Sequence, residues 1–123
     1  MKRTTITMDG NGILSIPSNL DELWMSEGEL VDMLHVTAPK HNSVIRATYK
    51  EGMLSMSEVQ YKDETSVSVW QTLYNFPMIV AICFRLHSFG AAQLREVILK
   101  RLYEAKEKTT IVLQLYGETN AFC

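Results

Sequence analysis

The chain has 123 residues, 46% apolar and 21% charged, which excludes a disordered chain and fits one globular domain over residues 1–123 with a single modest core. Twelve Lys and Arg against fourteen Asp and Glu leave a formal charge of −2, which argues against a general basic nucleic-acid coat but allows a local basic face. No apolar run approaches the ~18 residues of a membrane span, Met1-Lys2-Arg3 does not lead into a secretory core, and the two cysteines form no C-x-x-C pair; the expected setting is the cytoplasm, with neither a disulfide framework nor a zinc site.

Residues 3–17 read as a β-hairpin. Thr4 to Met8 is β-branched and alternating, Asp9-Gly10-Asn11-Gly12 is turn chemistry, and Ile13 to Ile16 resumes the strand before Pro17. A hairpin that inserts into DNA would present basic residues along its strands, and this one has none from Thr4 to Pro17, so it is assigned to a sheet.

Residues 24–52 carry the pattern on which the functional reading turns. After the connection Ser18 to Leu23, Trp24 and Met25 are expected in the core. Ser26 with Glu29 forms a capping box, and Leu30, Met33 and Leu34 give one apolar face, with Glu27, Glu29 and Asp32 in solvent. The helix ends near His35. Val36 to Pro39 is a tight turn in which Thr37 can cap a second helix and Pro39 fits its first turn. On that helix His41, Val44, Ile45 and Thr48 share one stripe. Lys40, Ser43, Arg46, Ala47 and Lys50 share another, and Gly52 ends it. Two short helices with this turn are a helix-turn-helix.

Residues 53–74 read as a second hairpin, with strands Met56 to Lys62 and Thr65 to Tyr74 joined at Asp63-Glu64. In this position it could act as a wing, but its acidic tip would repel phosphate. Residues 76–106 read as two helices. The first is capped by Asn75 and carries Pro77 in its first turn; from Met78 to Leu86 it is apolar nearly all round, which predicts the buried centre. Ser88-Phe89-Gly90 breaks it. The second runs from about Ala91 to Lys106 with a core stripe of Leu94, Val97, Ile98, Leu102 and Ala105. Arg95, Lys100, Arg101, Lys106 and Lys108 make this the most basic stretch. Residues 109–116 predict a strand, paired in the chain's own sheet or with a second chain. The expected class is α+β: a helix-turn-helix with β-hairpins, winged-helix-like, a C-terminal helical pair and a small antiparallel sheet.

The second helix of a helix-turn-helix fits the major groove, so its first turns reach base edges while nearby cations meet phosphates. Lys40, Asn42, Ser43 and Arg46 occupy that zone, with Lys50 further along. Arg95, Lys100 and Arg101 would add backbone contacts. The plainer readings are a structural helical hairpin for residues 24–52 and a solvated charged face for 95–108, where Glu96, Glu104 and Glu107 interleave. His35, His41 and His87 show no ligand spacing, and Cys83 falls in an apolar helix where a thiol is inert. With no nucleophile or Gly-rich phosphate motif, the chain is read as a non-enzyme without metal or cofactor.

The chain resembles the virulence-associated RhuM family over about residues 24–103. One part of the resemblance is Trp24, Glu29 to Leu34, Val36-Thr37 and Glu51-Gly52. The other is Tyr74-Asn75-Phe76, Ile79, Arg85, Ser88 and Gln93-Leu94-Arg95. The resemblance implies a helix-turn-helix-like, DNA-binding-like bacterial protein, often carried on mobile elements, with no enzymatic activity. His35 replaces the family's usual turn glycine, and His41 stands at a usually apolar position. The expectation is therefore a small regulator, a dimer on double-stranded DNA. The alternative is a protein-interaction module that keeps the fold without DNA binding.

Overall fold

In the computed structural model, residues 3–66 and 69–104 are described. The N-terminal hairpin forms as its turn chemistry predicts. Strands β1 (Thr7–Met8) and β2 (Leu14–Ser15) run antiparallel, with Thr7 opposite Ser15 and Met8 opposite Leu14. Asp9 organises the turn: its Oδ1 accepts from the N–H groups of Asn11 at 2.8 Å and Ile13 at 3.0 Å. Gly12 takes a φ of 81°, which a side chain would resist. A 3-10 turn at Leu20–Glu22, capped by Asn19, follows. Thr4 then bridges in parallel to Leu23, and the Trp24 N–H donates to Thr4 O at 3.1 Å.

The main sheet is antiparallel, in the order β3-β5-β4, where β3 is Trp24–Ser26, β4 is Gln60–Ser66 and β5 is Val69–Asn75. The central strand β5 is shared: Met25 faces Tyr74 from one side and Tyr61 faces Leu73 from the other. Met25, Leu73 and Tyr74 are buried as a result. Trp24 is half-buried, its ring edge-on to Tyr61 at 6.1 Å.

Residues 53–74 contain the expected antiparallel hairpin, but it starts later and its acidic pair is placed differently. Met56–Val59 is a single helical turn, α3, and the strand begins only at Gln60. Asp63 and Glu64 lie within the ladder opposite Gln71 and Trp70, and the ladder continues past them to Ser66 opposite Val69. The acidic pair is therefore not the hairpin tip.

Among the described residues there are five α-helices, and the longer ones have ends that are locally specified. In α1 (Glu27–Leu34) the Ser26 Oγ accepts from Glu29 N–H at 3.3 Å while a Glu29 carboxylate oxygen accepts from Ser26 N–H at 2.8 Å. Arg3 locks the box from outside, 2.8 Å from the same carboxylate. Helix α2 (Ala38–Glu51) starts at Thr37, whose Oγ1 accepts from Lys40 N–H, and stops at Gly52 with φ 80°. Helix α4 (Phe76–Cys83) starts at Asn75 with Pro77 in its first turn, and its Met78, Ile79, Ile82 and Cys83 are fully buried. It is the centre of the core, as its uniform apolarity requires.

Helix α5 spans Phe89–Glu104. Ser88 is the break: its Oγ accepts from Ala91 N–H and donates to Leu34 O, so Phe89 and Gly90 already belong to α5. Gly90 lies against the last turn of α1, where a Cβ would fall 2.1 Å from Met33 O. Leu94 is buried and Val97 and Ile98 partly so, but Leu102 is 65% exposed. The expected core stripe thus ends a turn early. The strand predicted at residues 109–116, with Ala105, Lys106 and Lys108, lies outside the described residues. Among the described residues no helix is long and apolar enough to cross a membrane.

Candidate nucleic-acid interface

Helices α1 and α2 meet through a three-residue turn, His35 to Thr37. His35 caps α1 with φ 57° and ψ 51°, the left-handed conformation that glycine adopts without cost. A non-glycine residue here gives up about 1 kcal/mol, offset by the Val36 N–H closing back on Val31 O at 3.3 Å.

One side of α2 seats it. His41, Val44, Ile45 and Thr48 are buried, and the Thr48 hydroxyl donates back to Val44 O at 2.8 Å rather than standing unpaired. The other side is open: Pro39, Lys40, Ser43, Arg46, Ala47 and Lys50 are all exposed. At 100° per residue these six occupy an arc of about 120° and a length of about 17 Å. Asn42 is half-buried on the flank of that arc. Among the described residues none of Lys40, Arg46 and Lys50 is held in an ion pair. Ala47 sits inside the arc, where the periodicity of the sequence puts it, and brings neither charge nor polar group.

The expected cations on α5 divide. Lys100 is exposed. Arg101 donates through Nη2 to Ile16 O at 2.9 Å and ties α5 to the N-terminal hairpin. Arg95 corrects the expectation most clearly. Its Nη1 donates to Cys83 O at 2.6 Å and also to Leu86 O, so it holds the last carbonyl of α4 and one in the connection just beyond it, and is half-buried in doing so. Arg85, at the same end of α4, pairs with Glu51 of α2.

His41 is the unusual group. Its side chain is completely buried, and among the described residues neither ring nitrogen has a hydrogen-bond partner. The Glu27 carboxylate stands 3.9 Å from Nδ1, beyond bonding length, and Tyr74 packs edge-on at 6.1 Å. Burial lowers the proton affinity of the ring, and Glu27 only partly opposes that. This differs from the hydrogen-bonded, partly buried ring that its place on an apolar stripe predicts. Burial likewise pushes the Tyr74 hydroxyl up to about 12, helped by Tyr49 and Glu27. It also pushes the Cys83 thiol up to about 12 despite Arg95, which leaves that cysteine an inert part of the core. Among the described residues no group of three or more His, Cys, Asp or Glu is placed to hold a metal ion.

The protein is thus an α+β protein with small antiparallel sheets, on which a helix pair joined by a short turn presents an open, basic arc. Comparison with known family models, curated proteins and solved structures gives no match, so the RhuM resemblance rests on its sequence motifs.

Proposed function

We propose that the protein binds double-stranded DNA by laying the open arc of α2 in the major groove. On this reading it regulates the genes of a mobile element as a small, dimeric, winged-helix-like protein. The supporting observation is the division of α2 into a buried stripe and an exposed basic arc that, among the described residues, is free of ion pairs. The arc is about three turns long, which suits a groove some 12 Å wide. Arg46 and Asn42 are the side chains suited to guanine and adenine edges, and Lys40 and Lys50 suit phosphates. The hairpin β4–β5 follows α2 in the chain as a wing would, with its ladder running on past the acidic pair to Ser66 and Val69. A mobility shift on random duplexes in low salt tests this. Retarded complexes at micromolar protein are expected, and their absence would remove the reading.

A protein partner is the second reading. Its motive is the shallow apolar groove between α2 and α4, where Met53 is 85% and Phe84 48% exposed. Capture of a partner that survives Arg46→Ala but not Phe84→Ser would favour it.

A further inference from the structure

We propose that His41 is a proton-operated release for the second helix: charging its sealed ring unseats the first turn of α2. The ring is fully buried, and among the described residues both its nitrogens are unpartnered. A neutral imidazole survives this at modest cost. An imidazolium carries a charge and two N–H donors and does not. Among the described residues two groups stand against it: Glu27 of α1, 3.9 Å from Nδ1, and Tyr74 of β5, which meets the ring edge-on. Tyr49 of α2 bears on Tyr74 rather than on the ring, and its hydroxyl donates to Gln60 of β4 at 2.6 Å. Glu27 is the one carboxylate among them, and it is 36% exposed.

A charged ring therefore has one direction of relief, outward toward Glu27, closing the gap to about 2.8 Å. His41 belongs to the first turn, its N–H bonded to Thr37 O at 3.0 Å, so this shift carries Lys40, Asn42 and Ser43 with it. Because burial holds proton affinity below the ordinary value of 6.5, the seated form binds fewer protons than the unseated one. Its stabilisation is complete above about pH 6.5 and is lost as pH falls through the lowered value.

The device acts on the fold itself; only its effect on affinity rests on the DNA reading. The test follows the full chain by NMR from pH 8 to pH 5. The His41 ring is expected to stay neutral below pH 6.5, then titrate together with the backbone amides of residues 40–43. His41→Phe is expected to abolish that amide transition and to flatten the acid loss of thermal midpoint. A His41 ring that titrates with no movement of those amides overturns the proposal, as does an amide transition that persists in His41→Phe. If the variant does not fold, the wild-type titration alone decides. With duplex present, binding that weakens over the same pH interval extends the device to DNA affinity. Absence of binding at every pH would overturn the DNA reading and leave the amide transition to decide this one.

Discussion

Replacing Gly90 with alanine tests how α5 is seated on the helix-turn-helix. A Cβ there would lie 2.1 Å from Met33 O, 2.6 Å from Leu34 C and 2.7 Å from Leu34 Cα, all backbone atoms that no rotamer change can move. Helix propensity alone would favour alanine by about 1 kcal/mol. Against it, α1 and α5 must separate by roughly 1 Å, at an overpacking cost of about 3 kcal/mol. The Ser88 bond to Leu34 O is weakened as well, for another ~1 kcal/mol. The net loss is about 3 kcal/mol, or roughly 12 °C in Tm for a domain of this size. Gly28→Ala is the internal control. Gly28 lies in α1 and is exposed, with nothing within 4 Å of the added carbon, so that variant gains up to about 1 kcal/mol. Urea unfolding followed by circular dichroism reads both. A Gly90→Ala protein as stable as wild type would refute the close approach of the two helices.

Arg95→Met removes the donor held by Cys83 O and Leu86 O; a stability loss of about 2 kcal/mol is expected, with little change in DNA affinity beyond it. Ser26→Ala opens the capping box and costs about 1 kcal/mol by thermal melting. Burial would raise the Glu29 pKa, but Arg3 and the Ser26 N–H outweigh it and hold it below 4.5. The stability from this carboxylate is thus full above about pH 4.5 and lost as pH falls through the lowered value. Arg3→Gln is expected to weaken that acid transition in a melt-versus-pH series. Arg46→Ala, at an exposed position, should leave Tm within about 2 °C of wild type and weaken duplex binding about tenfold.

Much of the fold was legible because helix ends are written locally. Ser26 with Glu29, Thr37 before Pro39, Gly52, and Asn75 before Pro77 each mark a terminus where the structure has one. The exposure of Lys40, Ser43, Arg46 and Lys50 followed from the same periodicity. What was not legible depends on distant partners. Trp24–Ser26 is a strand only because β5 lies alongside it, and three residues carry no period of their own. Met56–Val59 has apolar residues at i and i+3, but four residues are too few for that spacing to declare a helical turn ahead of a strand. Arg95 is one cation in a basic run until the end of α4 is brought beneath it. The sealing of His41 likewise needs β5 and α1 to close over α2.

The most direct test is the salt dependence of duplex binding by fluorescence anisotropy, for wild type and for a Lys40→Ala, Arg46→Ala, Lys50→Ala triple variant. If the arc of α2 meets the phosphate backbone, wild type binds with a falling log–log slope, and the triple variant loses up to about 2.7 units of that slope, ~0.9 for each cation that had met a phosphate. Equal slopes and affinities for the two proteins, at equal Tm, would contradict the account.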